Sequence, residues 1–178
     1  INYTYLFNPI LKKLKDDIKV KSGGKIVINF SKKNNFYKKK YDCINDWLDH
    51  PLSIILFLFK NFAKSKIVKK EFFNKKGFYE KLRINYLYKK LTVQVNINYS
   101  ATNKKNILVI NNSEKKIYDL NSNSIFLEKK KIFFSKKNSF DMLYLTLRNN
   151  TKLSFQNFKF YKEILKEKNE ILRKIKND

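Results

Sequence analysis

From Leu91 to Tyr99 the chain reads LTVQVNINY, and apolar and polar residues alternate along it. A period of two puts Val93, Val95, Ile97 and Tyr99 on one face and the polar residues on the other, the pattern of a strand with one buried side. Shorter runs of the same kind predict strands over 80–88, 106–111, 116–120, 124–128 and 131–134. Half-buried strands joined by short polar turns point to antiparallel sheet.

Around this strand-rich stretch the sequence changes period. Ile18 to Phe30 holds two β-branched runs on either side of Ser22-Gly23-Gly24, which predicts a hairpin. Pro51 and the 3–4 spacing of Leu52, Ile55, Leu56, Phe59, Phe62 and Ala63 predict a buried helix that starts at Asp49 or His50 and continues to Val68. Phe140, Leu143, Tyr144 and Leu147 mark one face of a helix over 139–149. Residues 151–160 read as extended, and 161–178 as an amphipathic helix striped by Ile164, Leu165, Ile171, Leu172 and Ile175. Residues 1–17 form an arm with a short helix or strand.

Gly77-Phe78 is the one glycine break outside the hairpin, near the middle of the chain. The stretch FSKKN occurs at 30–34 and again at 134–138, each time after a β-like run and before a helix. Together they predict an α+β fold of two similar small domains, each an antiparallel sheet packed on one helix. The expected units are 1–76 and 77–160, with a C-terminal helical extension at 161–178.

The net charge is +25, from 40 Lys and Arg against 15 Asp and Glu. Few Gly, Pro and Ala with abundant Lys, Asn, Ile, Phe and Tyr indicate an AT-rich genome, an organellar one among the possibilities. That bias explains Lys in place of Arg, but not so large an excess over acidic residues. A compact chain of this charge calls for a polyanion, nucleic acid first and an anionic membrane surface second. Lys32, Lys33, Lys38, Lys39, Lys89, Lys90, Lys129, Lys130, Lys136 and Lys137 stand in predicted loops or at strand ends, as phosphate contacts would. Phe36, Tyr37 and Tyr41 are placed either to stack on bases or to cover the core.

The sequence carries no enzyme signature. One Cys (Cys43) and one His (His50) leave no disulfide and no His-based metal site. Asp46 and Asp49 read as helix caps, and no Gly-rich phosphate loop is present. The longest apolar run, Pro51 to Phe59, is shorter than the ~20 residues of a membrane-spanning helix. The chain opens at Ile1 with no secretory signal pattern, so either a leader is missing or the start codon is unusual. The expectation is a binding protein with no enzymatic activity, no cofactor, no metal and no small-molecule substrate.

Gly77-Phe78 followed by Lys81-Leu82, the strand ending VNINYS at 95–100, and SIFLEKKKIFFSKKNSFDMLYLTLRNN at 124–150 closing in Arg148 together resemble the large-subunit ribosomal protein L-six family. The family's Pro-Glu-x-Tyr-Lys-Gly-Lys-Gly tail has no counterpart in TKLSFQNFKFYKE. The resemblance implies a structural constituent of the mitochondrial large ribosomal subunit, organelle-encoded, that binds large-subunit rRNA near the translation-factor region. It adds Arg148 as a phosphate contact, with Lys152, Lys159 and Lys162 in the space of the missing tail. Neighbouring ribosomal proteins would dock on helix 161–176. The alternatives are another organellar RNA-binding protein, or a basic protein held at a membrane surface.

Overall fold

The computed structural model describes residues 4–20, 23–32, 42–72, 77–99, 101, 105–111, 115–149 and 153–177. Helix α1 spans Pro9–Val20 and strand β1 Gly24–Ser31; α2 (Cys43–Trp47) and α3 (Asp49–Phe59) follow. Seven strands come next: β2 Lys64–Phe72, β3 Tyr79–Tyr88, β4 Leu91–Asn98, β5 Lys105–Asn111, β6 Lys115–Asp119, β7 Ser124–Leu127 and β8 Lys130–Phe134. Helices α4 (Ser139–Asn149) and α5 (Leu153–Asn177) close the chain.

The strands form one eight-stranded sheet in the order β2-β3-β4-β1-β5-β6-β7-β8. Two meanders, β2–β4 and β5–β8, are joined by β1, which pairs parallel with β4 and antiparallel with β5. The α+β class holds. Position 76/77 does not divide the sheet, because β1 and β2 from before it pair with β4, β5 and β3 from after it. The two FSKKN copies differ accordingly: Phe30 is buried in the central strand β1, whereas Phe134 is exposed on the edge strand β8.

Alternation sorts the sheet into two faces. Ile26, Ile28 and Phe30, then Leu82, Ile84 and Tyr86, then Val93, Val95 and Ile97 are buried on one face. Asn29, Arg83, Gln94 and Asn96 occupy the other. The helices cover the apolar face. α1 buries Ile10, Leu11 and Leu14. Its start is fixed by Asn8, whose Oδ1 accepts from the Ile10 N–H at 3.0 Å and whose Nδ2 donates to the Leu120 carbonyl at 3.2 Å. The predicted hairpin at 18–30 is therefore a helix followed by a strand. Ile18 continues the 3–4 stripe of α1 instead of pairing with β1.

α3 is shorter than expected. Lys60 adopts a left-handed conformation (φ 64°) and its N–H bonds to the Leu56 carbonyl, so the helix ends there. Ile67 and Val68 belong to β2. Residues 153–160 are helical rather than extended, as the first turns of α5. On α4, Phe140 and Tyr144 face outward, 63% and 67% exposed, so this part of the expected stripe is not a core face.

α5 does not present its stripe to a neighbouring protein. Ile164, Ile171 and Ile175 are buried in this chain's own core. Glu167 accepts a hydrogen bond from Tyr86 Oη at 3.0 Å, and Lys174 donates to Ser65 Oγ at 2.8 Å. Lys168 pairs with Asp49 at 3.0 Å. These contacts lock the helix over β2, β3 and α3.

Candidate functional site

β1 and β4 are the one pair of neighbouring strands among the described residues that run in the same direction. In mixed and parallel sheets the carboxyl ends of such strands are where chains open into a crevice. Here β1 runs out at Ser31-Lys32 and β4 at Asn98-Tyr99, with the Lys32 N–H bonded to the Asn98 carbonyl at 3.0 Å. The next described elements after β1, α2 and α3, lie over this end.

Asp42 Oδ1 caps α2 by accepting from the N–H groups of Ile44 (3.1 Å) and Asn45 (2.7 Å). That role falls to Asp42, which frees Asp46 and Asp49 from the capping expected of them. Leu48 between the two helices has helical angles (φ −60°, ψ −32°), so the helical path is continuous from α2 into α3. Asp46 and His50 are four residues apart on it and therefore share a face.

The Asp46 carboxylate accepts from Tyr99 Oη and pairs with Lys32 Nζ at 3.5 Å. Burial, then the hydrogen bond to Asp46 and its charge, push the Tyr99 hydroxyl far above the usual tyrosine range. Tyr99 is thus a fixed proton donor to Asp46. Trp47 meets Tyr99 edge-on at 6.1 Å and Phe30 at 5.6 Å between ring centres. The imidazole of His50 stacks on Phe30 at 6.2 Å and meets Trp47 edge-on at 5.9 Å. Lys32 Nζ lies 5.6 Å from the centre of the Trp47 ring and 5.9 Å from that of Tyr99.

One carboxylate, one ammonium, one phenol and one imidazole therefore converge on an aromatic floor. Asp46 and Lys32 keep 32% and 24% of their side-chain surface exposed and remain reachable, whereas Tyr99 is fully buried behind them. Such a set can orient hydroxyl groups and move a proton. Cys43 stands apart from this chemistry: it is fully buried, and burial with the nearby Asp42 charge raises its thiol far above the usual range. Among the described residues no group of three or more His, Cys, Asp or Glu is placed to hold a metal. Among them too, no helix is long and apolar enough to cross a membrane.

The lysines expected to bind phosphate are scattered. Lys32 belongs to the site just described. Lys89 and Lys90 form the β3–β4 turn, beside Gly23 at the amino end of β1. Lys129 and Lys130 stand in the β7–β8 hairpin, and the sheet register puts them at that same amino end. Lys136 and Lys137 lie near the opposite end, where Asn123 Nδ2 donates to the Lys137 carbonyl at 3.5 Å. Lys159 and Lys162 are exposed on α5, and Arg148 lies within α4. Lys33, Lys38, Lys39 and Lys152, with Phe36, Tyr37 and Tyr41, fall outside the described residues.

Solved structures that share this fold include oxidoreductases of the dehydrogenase type. A dehydrogenase from Clostridium difficile superposes with a TM-score of 0.71 at 13% identity, over 97% of this chain and 60% of that one. Levoglucosan dehydrogenase, solved with NADH and L-sorbose, gives 0.70 at 8% identity, over 97% and 62%. UDP-N-acetylglucosamine 3-dehydrogenase from Acidithiobacillus ferrooxidans gives 0.63 at 11% identity, over 83% and 52%. The chain thus spans between half and two thirds of the length of these structures. No protein-family model matches it, and no curated protein matches it by sequence.

These likenesses overturn the ribosomal reading. The solved structures compared with this fold are oxidoreductases, and none of them is a ribosomal protein. With that reading go the large-subunit rRNA, the neighbouring ribosomal proteins, and the exclusion of an enzyme and of a small-molecule substrate.

Proposed function

We propose that this chain forms the substrate-binding part of an oxidoreductase acting on a small hydroxylated molecule of the carbohydrate type. The observation that carries the reading is the convergence of Lys32, Asp46, Trp47, His50 and Tyr99 at the carboxyl end of the β1–β4 pair. The structural neighbours support it, since their names specify a sugar nucleotide, levoglucosan and L-sorbose.

In this reading the buried rings of Trp47 and Phe30 back the site, and Lys32 with Asp46 orients hydroxyl groups by charge-assisted hydrogen bonds. His50, one helical turn from Asp46 on the same face, accepts a hydrogen bond from a substrate hydroxyl. Tyr99 stays protonated and holds Asp46 in place.

The NADH of one neighbour invites a test of whether this chain cradles a dinucleotide. The residues do not fit one. A pyrophosphate cradle needs glycines in the turn from a strand into a helix, where backbone N–H groups approach the phosphates. The three glycines here precede β1 or separate β2 from β3, and 32–42 contain none. No step is therefore routed through a nicotinamide. In this reading the expected units 1–76 and 77–160 contribute strands to one sheet, the first supplying Lys32, Asp46 and His50 and the second Tyr99, and 161–178 belongs to the helix packed on it.

Trp47 is the only tryptophan, so its fluorescence reports on this site alone. Titration with UDP-N-acetylglucosamine and with L-sorbose should give a saturable change with at least one of them. The His50→Ala and Lys32→Met variants should weaken it about tenfold or more, given charge-assisted bonds of about 1.5–3 kcal/mol each. A flat titration with both sugars, or one indifferent to both substitutions in folded protein, contradicts the assignment.

A further inference from the structure

The polar face of the sheet carries a second constellation that the substrate reading does not use. Across β2, β3, β4 and β1 the register places Lys69 opposite Arg83, Arg83 opposite Asn96, and Asn96 opposite Asn29. One residue pair further along, Glu71 is opposite Lys81 and Lys81 opposite Asn98. Lys69, Lys81, Arg83, Asn96, Asn98 and Asn29 are among the residues lining a cavity of about 360 Å³.

Hydrogen bonds fix the polarity of this row. Arg83 is a donor only, so Asn96 turns its Oδ1 toward Arg83 Nε, at 3.0 Å. The same oxygen accepts from Gln94 Nε2 at 2.9 Å, and Asn96 Nδ2 donates to Asn29 Oδ1 at 2.7 Å. Both ends of the chain of bonds therefore offer donors: the remaining guanidinium N–H groups at one end and the Asn29 amide nitrogen at the other. Lys69 and Lys81 add two ammonium groups, and both already converge on the Glu71 carboxylate. Those two lysines hold Glu71 below the usual carboxylate range. Glu71 thus acts as an internal anion in a cluster that keeps two positive charges in excess.

We propose that this cavity binds a phosphomonoester of a small molecule, with Arg83, Lys81 and Lys69 on the phosphate oxygens and Glu71 as the internal competitor. Three cations from two neighbouring strands suit a group with three terminal oxygens, and a dianion matches the excess charge. The site lies on the polar face of the sheet, on the other side from His50 and Trp47, and stands independently of the substrate proposed there.

The test is calorimetric titration of the full chain with inorganic phosphate and with a hexose 6-phosphate, at about 0.15 M salt to screen diffuse attraction. The expected result is one-to-one binding, weakened about tenfold or more by Arg83→Gln and by Lys81→Met. Glu71→Gln should tighten binding severalfold, because it removes the competitor. Glu128→Gln, which makes the same change in net charge in the exposed β7–β8 turn, should leave it unchanged. No saturable binding, a stoichiometry above one with all variants alike, or equal effects of Glu71→Gln and Glu128→Gln would each overturn the proposal, since a chain of charge +25 collects anions non-specifically.

Discussion

Three tyrosines in this protein serve as buried proton donors to carboxylates: Tyr99 to Asp46, Tyr118 to Asp17 and Tyr86 to Glu167. Burial, reinforced by the neighbouring negative charge, raises all three hydroxyls above their ordinary range. Tyr88, which donates to the Asn61 carbonyl at 2.7 Å, is pushed up by burial to about 12. A raised folded-state value means the folded protein holds the proton more tightly than the unfolded chain. The stabilisation is then complete below the unfolded value of 10.0 and is lost as pH rises toward about 12 for Tyr88. Urea unfolding across this window should show stability falling steadily, with phenolate absorbance from Tyr86, Tyr99 and Tyr118 appearing only on unfolding. Stability that stays level from pH 10 to 12 would contradict the burial of these hydroxyls. Asp17, which accepts from Tyr118 and pairs with Lys116, anchors α1 on β6.

At the scale of elements, α5 shows how a charged amphipathic helix is bound to its own sheet. Glu167 is only 7% exposed, and burial raises its carboxyl above the usual range. Glu167→Ala leaves the Tyr86 hydroxyl, itself fully buried, without its acceptor and should cost about 1–3 kcal/mol in urea unfolding. Glu167→Gln keeps an acceptor there and should cost less. Equal losses would show that the hydrogen bond does not hold the helix. The strands from β3 to β8 were legible because local runs of β-forming residues, most clearly alternating in β4, are separated by polar turns. The start of β1 was not, because Ile18 and Val20 are β-branched and mimic a strand, while the helical stripe of Ile10, Leu11 and Leu14 lies further back. The end of α3 was also hidden, since nothing in the composition marks Lys60 as the left-handed residue that stops it.

The whole molecule is governed by the insertion of β1 between β4 and β5. That pairing joins residues more than sixty positions apart, and no local pattern encodes it. It merges what read as two modules into a single sheet, and it creates the strand ends where the candidate site forms. Asp46 and His50 were visible in the sequence, but as a cap and a lone histidine; Tyr99 was visible only as a core residue. Their meeting depends on the fold. The most direct test of the account is a map of amide and side-chain NMR shifts as a sugar substrate such as UDP-N-acetylglucosamine is added. The account predicts shifts concentrated at Lys32, Asp46, Trp47, Tyr99 and the single imidazole of His50. Shifts confined to the lysine turns at 89–90 and 129–130, or no shifts at saturating sugar, would contradict it.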